Sequence, residues 1–175
     1  MSKHNGLKIY IPKKEIDKRV KQLANQITAD YKDRTPIFIG VLNGSFVFMS
    51  DLVRNVRINS EVDFLKLSTY GDNKISSGNV RLLKDLNCTI TDRDIIVVED
   101  IIDSGLSIKF IRSLINHHSP NSLEFVSFLY KRTVSKLDFK IKYVGFRIPN
   151  KFVVGYGLDF AQKYRNLKSI YILNN

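Results

Sequence analysis

Three carboxylates are concentrated in the segment IIVVEDIIDSGLS, which spans residues 95–107. Glu99, Asp100 and Asp103 follow four β-branched apolar residues, a run that is typical of a buried strand. Unpaired carboxylates are costly to bury, so we expect these side chains to face groups that compensate their charge. Carboxylates accept hydrogen bonds from diols and bind hard cations. The segment therefore indicates a site for a ligand that carries hydroxyl groups and a cation.

The residues after the third acid suit an anion. Ser104, Gly105 and Ser107 offer hydroxyls and close backbone access where a helix is predicted to begin, and free N–H groups at such a point bind phosphate. Two like charges about 4 Å apart repel by roughly 4 kcal/mol at an effective dielectric near 20, so cations or hydroxyl donors must separate a phosphate from the acids. A phosphorylated ribose with bound Mg²⁺ fits best. The alternative interpretation, an Asp helix cap followed by a turn, suits Asp103 taken without the acid pair.

The elements that must position these residues can be predicted from the hydrophobic period. Strands are predicted at 36–42, 61–70, 95–99, 123–131, 143–148, 152–157 and 170–173, and helices after Pro12, over 46–56 and over 106–118. Strands that alternate with helices predict an α/β fold with a parallel-containing twisted sheet flanked by helices, in a single domain over residues 1–175. The acids then lie beyond the carboxyl end of a strand, where open α/β sheets bind ligands.

Two of the predicted helices carry an apolar stripe. The stripe of the first helix is Ile16, Val20, Leu23, Ile27 and Tyr31. The inner face predicted for the helix over 106–118 is Leu106, Phe110, Ile111 and Leu114. The polar residues 71–79 have little to bury and predict a surface loop.

Composition limits the class of protein. Hydrophobic residues make up 43% of the chain, yet no run approaches the roughly 18 apolar residues of a membrane span, and charges interrupt the N-terminal residues before a signal-peptide core can form. We therefore expect a cytoplasmic protein with no membrane partner. Cys88 is the only cysteine, which excludes an internal disulfide and a thiolate metal cluster.

The net charge of +11 is unevenly distributed, because residues 131–175 hold ten Lys or Arg against Asp138 and Asp159. An anionic ligand is plausible from this charge, as is an ordinary solvated basic surface. The basic residues are dispersed through apolar segments and form no dense block or known reader motif, so no nucleic-acid partner is expected.

VVEDIIDSGLS resembles the phosphoribosyl-pyrophosphate (PRPP) signature of the type I phosphoribosyltransferases, in which two acids and two apolar residues precede D-[ST]-G-x-[ST]. Four further segments resemble the hypoxanthine-guanine phosphoribosyltransferases in the same order: VLNGSFVFMSDL, STYGDN with SSG, YKRT, and IPNKFVVGYGLDFAQKYRNL. The resemblance covers nearly the whole chain. It implies the type I phosphoribosyltransferase fold with a small hood, and transfer of the 5-phosphoribosyl group from PRPP to N9 of a 6-oxopurine. The products would be IMP or GMP and pyrophosphate, in purine salvage.

The resemblance also implies roles for the acid-rich segment. Glu99 and Asp100 would contact the ribose hydroxyls and Mg²⁺, both within reach because the strand ends there. The 5′-phosphate would be held by residues 103–107, namely Asp103, Ser104, Gly105, Leu106 and Ser107. Asp103 would be the catalytic residue facing the purine N7, either as general base or as an electrostatic partner, and the sequence leaves these two open.

The implied purine-binding residues are Ile101, Lys131, Phe152, Val153 and Asp159. Lys131 would donate to the purine O6, and Phe152 would stack on the base while Ile101 packs on its opposite face. Val153 would offer backbone groups to the purine edge. Asp159 would reach a second Mg²⁺, so the implied metal ligands are Glu99, Asp100 and Asp159.

The leaving pyrophosphate would be bound by Arg165 and by the loop Leu42-Asn43-Gly44, where the family carries a non-proline cis peptide. Many relatives have Lys at the position of Asn43, so this chain lacks one positive charge there. Thr69 and Tyr70 would lie over the leaving group, at the start of a loop that resembles a lid. The family also implies a homo-oligomer, with dimer and tetramer both open, and a choice among hypoxanthine, guanine and xanthine that the sequence leaves open.

A different class of function is a PRPP-binding regulator that contacts RNA or DNA through its basic surface. The segment FVVGYGLDFAQKYR together with Lys131 favours a purine site and therefore the enzyme.

Overall fold

The computed structural model describes residues 6–69 and 80–173. Three helices occur in the described residues, α1 (Lys13–Asp30), α2 (Phe46–Asn55) and α3 (Leu106–Asn116). The strands are β1 (Leu7–Ile11), β2 (Ile37–Leu42), β3 (Glu61–Thr69), β4 (Val80–Lys84), β5 (Asp94–Ile102), β6 (Ser122–Tyr130), β7 (Tyr143–Arg147), β8 (Val153–Val154) and β9 (Ile170–Leu173). None of the described helices has the length and apolar character that a membrane span requires.

The main sheet has six strands in the order β4-β3-β2-β5-β6-β7. All neighbouring pairs from β3 to β7 are parallel, and β4 joins the edge of β3 in the antiparallel sense. Helices cover both faces, which explains why the central strands are almost wholly apolar. The predicted α/β class with a parallel-containing sheet is confirmed.

The two faces of the sheet form two hydrophobic clusters, which β5 separates. Ile96 and Val98 belong to the cluster that α1 and α2 complete, whereas Ile95 and Val97 belong to the cluster that α3 completes. The predicted stripe of α1 is confirmed, since Ile16, Val20, Leu23, Ile27 and Tyr31 are all buried. Strand β5 is therefore packed between the two hydrophobic clusters directly before its acidic residues.

A second, small antiparallel sheet has the order β1-β9-β8 and forms the predicted hood. Strand β1 was not predicted, because its five residues alternate only weakly. The predicted strand 152–157 is wrong in length, because only Val153 and Val154 are in β8. Gly155, Tyr156 and Gly157 have positive φ angles, and the chain turns there.

Two further predictions are corrected. Strand β5 continues to Ile102, so the loop begins three residues later than expected. Of the predicted inner face of α3, Ile111 is buried, Phe110 and Leu114 are partly buried, and Leu106 is 37% exposed. The other buried residues of α3 are Ile108 and Ile115. The predicted face and the observed buried face both fit the helical period. The isoleucines are buried because α3 packs on the sheet with their side of the helix. Strand β4 was also not predicted.

Candidate active site

Glu99 is a buried acid in the main sheet. Its side chain is 8% exposed, and its Oε2 atom has no hydrogen-bond partner in the part of the chain that the structure describes. Burial, and next the negative charge of Asp100, raise the pKa of Glu99 well above its usual value. A bound cation, or hydroxyl donors from a ligand, would supply the stabilising interactions that the ionised form of this buried carboxyl group lacks.

Asp100 faces a different direction from Glu99, as consecutive strand residues do. Its Oδ2 atom lies where a Cβ on Gly44 would stand, so the carboxylate packs directly on the loop after β2. Burial raises the pKa of Asp100 to about 6, although hydrogen bonds from backbone N–H groups, chiefly that of Ile101, and the charge of Arg165 oppose the rise. The predicted end of the strand at Glu99 is wrong, since β5 runs on to Ile102. Whether both acids reach one ligand stays a prediction.

The predicted phosphate loop borders a small cavity of about 80 Å³ at the start of α3. The cavity is lined by Glu99, Ile101, Ile102, Asp103, Ser104, Gly105, Ser107 and Ile108. Gly105 has φ +86°, and a Cβ there would lie 2.8 Å from Leu137 Cδ2. Glycine is therefore favoured at this turn chiefly by its positive φ angle, and a larger residue would also have to displace the Leu137 side chain.

The segment that follows β6 fixes this loop from the other side. The backbone N–H of Lys136 donates to the carbonyl of Ser104 at 3.1 Å. The hydroxyl of Ser135 is buried beside Gly105 and has no partner within the described residues. The loop is thus held at a defined distance from the end of β6.

Lys131 and Asp103 form an ion pair at the mouth of the site. Lys131 Nζ lies 2.7 Å from Asp103 Oδ2, and the backbone N–H of Lys131 donates to Ile102 O at 3.0 Å. Lys131 is only 6% exposed, whereas the side chain of Asp103 is 51% exposed. The structure therefore brings together the two residues that were predicted to face neighbouring atoms of a purine.

Arg165 and Asp159 form a second pair. Arg165 Nη2 lies 2.8 Å from Asp159 Oδ1, and Nη1 donates to the carbonyl of Gly157 at 2.8 Å. A Cβ on Gly157 would collide with the carbonyl oxygen of Gly44. Arg165 is consequently bonded to a turn that packs on the same loop that Asp100 touches.

Phe152 and Phe160 make an edge-to-face contact with ring centroids 5.7 Å apart and an interplanar angle of 85°. Both side chains are more than half exposed and line an open groove of about 460 Å³ beside Ile172. Val153, the next residue after Phe152, is buried in β8. An exposed ring face next to a fixed backbone edge is able to stack on a flat ligand.

The remaining predicted residues lie in the loops around β2 and β3. The peptide bond Leu42-Asn43 is cis, as the resemblance implied. Thr69 is the last residue of β3. The side chain of Thr69, all of Tyr70 and the predicted loop 71–79 lie outside the described residues.

Three residues that contact this site were not predicted from the sequence. Asn150 contacts the Lys131 ammonium group, Phe160 contacts Phe152, and Ser135 lies beside Gly105. All three belong to loops without hydrophobic period, and only Asn150 and Phe160 lie inside a segment that carried the family resemblance.

The fold and the site together define a phosphoribosyltransferase. The family model described as "Phosphoribosyl transferase domain" matches residues 10–161. The chain is 43% identical to the hypoxanthine-guanine phosphoribosyltransferase of Bacillus subtilis strain 168, over 99% of this chain and 96% of that protein. It is 41% identical to the hypoxanthine phosphoribosyltransferase of Escherichia coli K12, over 94% of this chain and 93% of that protein. It also superimposes on a crystal structure of the hypoxanthine phosphoribosyltransferase of Staphylococcus aureus with a TM-score of 0.93 and 39% identity, over 98% of this chain and 94% of that one. The chain belongs to the hypoxanthine-guanine phosphoribosyltransferase family.

Proposed function

We propose that the protein transfers the 5-phosphoribosyl group of PRPP to N9 of a 6-oxopurine, hypoxanthine and guanine, which yields IMP or GMP and pyrophosphate. The observation that carries the proposal is the pair Lys131–Asp103, 2.7 Å apart, at the entrance to the glycine-containing loop. A cation donor beside a carboxylate acceptor matches the O6 acceptor and a protonated N7 of a 6-oxopurine, which are neighbours on one edge of the base.

PRPP would be held by the groups at the end of β5. Backbone N–H groups and hydroxyls of residues 103–107 bind the 5′-phosphate at the start of α3. Glu99 and Asp100 accept hydrogen bonds from the ribose hydroxyls. The Oε2 of Glu99 has no partner among residues 6–69 and 80–173, which supports this role, because a buried carboxylate oxygen gains most from a ligand that supplies a donor.

Mg²⁺ is the cofactor that these acids fit. No group of three or more His, Cys, Asp or Glu side chains able to hold a metal occurs within 6–69 and 80–173, but Mg²⁺ is usually held by one or two carboxylates together with substrate oxygens. Glu99 and Asp100 would hold one ion, and Asp159 a second, directly or through water. Bound Mg²⁺ offsets the negative charge that develops on the departing pyrophosphate.

The purine would lie between Phe152 and Ile101. Lys131 donates to O6, and a 6-aminopurine is rejected because its amino group cannot accept this hydrogen bond. Val153 presents its backbone to the purine edge. As the bond from N9 to C1′ forms and the bond from C1′ to the pyrophosphate oxygen breaks, Asp103 accepts or stabilises the proton at N7.

The leaving pyrophosphate would be bound by the backbone at Asn43 and Gly44 and by Arg165, with Thr69 and Tyr70 closing over it. Arg165 is already anchored to the carbonyl of Gly157, next to Gly44, so its guanidinium group is held near that loop. Closure excludes water, which would otherwise hydrolyse the reactive ribosyl group.

We further propose a cytoplasmic homo-oligomer, dimer or tetramer, without a nucleic-acid partner.

The test of the function is an assay of nucleotide formation that requires both PRPP and Mg²⁺, run with hypoxanthine, guanine, xanthine, adenine and uracil. Product from hypoxanthine and guanine but not from adenine or uracil is expected. Absence of product from every 6-oxopurine would reject the proposal. RNA binding that weakens steeply with added salt would favour the regulator instead.

A further inference from the structure

The side chain of Asn150 contacts the ammonium group of Lys131. Asn150 lies in the loop between β7 and β8, and its Oδ1 atom is 3.3 Å from Lys131 Nζ. Within the described residues, the other side chain bonded to this ammonium group is Asp103, at 2.7 Å. Lys131 is only 6% exposed, so its three N–H donors depend on acceptors of this kind.

The two acceptors are held in different ways. Asp103 belongs to the phosphate loop, and its side chain is half exposed, so it is free to turn toward a ligand. The loop of Asn150 is tied to the end of β6, because the N–H of Ile148 donates to the carbonyl of Tyr130 at 3.0 Å. Tyr130 directly precedes Lys131, and Ile148 is buried. The backbone that leads to Asn150 is thus attached to the strand end that carries Lys131, while the side chain of Asn150 is exposed.

We infer that Asn150 is a positioning residue that holds the Lys131 ammonium group toward O6 of the purine. This inference rests on the proposed function. When a 6-oxopurine binds, N7 engages Asp103 and O6 replaces the Asp103 carboxylate as a partner of Lys131. Asn150 is then the side-chain acceptor that stays in place, so it limits the rotamers of a long, flexible lysine at the moment when O6 is recognised.

Asn150 therefore contributes to the recognition of the base and not to the binding of PRPP. Loss of one hydrogen bond of ordinary strength corresponds to about a fivefold change in affinity. Asn150→Ala should raise the KM for hypoxanthine by about this factor and leave the KM for PRPP unchanged. Asn150→Asp keeps an acceptor oxygen at the same distance from Lys131 and should restore the wild-type KM for hypoxanthine.

The experiment compares steady-state kinetics of the wild type, Asn150→Ala, Asn150→Asp and the matched control Asn116→Ala, which changes an exposed asparagine at the end of α3. Hypoxanthine and PRPP are varied separately, and thermal unfolding is followed for each protein. A selective rise for hypoxanthine in Asn150→Ala, with rescue by Asp, supports the positioning role. An unchanged KM in Asn150→Ala, or equal changes for both substrates, overturns it. A wild type that makes no nucleotide from hypoxanthine rejects the proposed function itself, together with the inference that depends on it.

Discussion

The carboxylate of Asp100 occupies the space that a side chain on Gly44 would need. Gly44 does not have a positive φ angle, so its backbone conformation is open to other residues and the restriction comes from space alone. On the other side of the loop, the carbonyl of Gly44 lies where a Cβ on Gly157 would stand. The loop after β2 is therefore packed between an acid of β5 and the turn that anchors Arg165. These two contacts connect the acid proposed for ribose with the turn that anchors the arginine proposed for pyrophosphate.

Gly44→Ala should destabilise the protein because the new methyl group would collide with the Asp100 carboxylate. Overpacking of this kind costs about 1–3 kcal/mol. In a background that carries Asp100→Ala, the carboxylate is gone and the same substitution should cost less than about 0.5 kcal/mol. Urea unfolding of the wild type, the two single variants and the double variant measures the coupling. Equal losses from Gly44→Ala in both backgrounds would show that Asp100 is not the obstacle.

Asp103→Asn should depress turnover while the fold stays intact. The side chain of Asp103 is half exposed, so the amide is accommodated without burying a new polar group. An amide cannot take up the N7 proton or bear the negative charge that stabilises it, and such a group contributes about 10²–10⁴-fold to a rate. The measurement is kcat with saturating substrates, beside the unfolding midpoint. Asp138→Asn, at an exposed site, is the control, and near-normal turnover in Asp103→Asn would refute the assigned role.

Local pattern is sufficient to predict much of this molecule. The stripe of α1 follows from residues three and four apart, and β5 with its acids follows from an apolar run that ends in charge. These features depend on neighbours in the chain, which the sequence displays directly. The acids, the glycine turn and the helix start are therefore predicted together, because all of them lie within one continuous segment.

The contacts between distant segments could not be predicted from pattern alone. Lys131 meets Asp103 because β5 and β6 are parallel neighbours, with Ile102 paired to Tyr130 in the sheet. Strand order depends on packing across the whole chain, and the hydrophobic period of each separate strand does not encode it. The same reason applies to the buried face of α3, for which two stripes of equal period compete. The family resemblance implies the roles of the site residues, but no pattern in the sequence indicates the direct Lys131–Asp103 bond.

Asp63 should make stability depend on pH in the acid range. Burial would raise its pKa, but hydrogen bonds from the backbone N–H groups of Phe64, Asn87 and Cys88 outweigh it and lower the pKa to about 2. The unfolded carboxyl titrates near 3.9, so the unfolded chain binds more protons between these values. The stabilisation by Asp63, about 2–3 kcal/mol, is therefore complete above about pH 5 and lost as pH falls to about 2.

The check is the free energy of unfolding at about pH 5 and at about pH 2.5 for the wild type and Asp63→Asn. The difference between the two pH values should shrink by roughly 2 kcal/mol in the variant, because Asn does not titrate. Asp138→Asn, which changes an exposed acid, should keep the wild-type difference. A pH dependence that is unaltered in Asp63→Asn would show that other carboxyl groups account for it.

Phe152→Ala should weaken the binding of the purine without destabilising the free protein. Phe152 is 54% exposed, so its removal leaves no closed cavity, whereas stacking of an aromatic ring on a base contributes about 1–3 kcal/mol. The KM for hypoxanthine is expected to rise by about 5-fold to 100-fold, while the KM for PRPP and the unfolding midpoint stay near their wild-type values. Leu83→Ala, at a side chain that is 52% exposed on β4, is the matched control and should change neither KM. Should Phe152→Ala bind hypoxanthine as tightly as the wild type, the purine does not stack on this ring and the proposed orientation of the base is wrong.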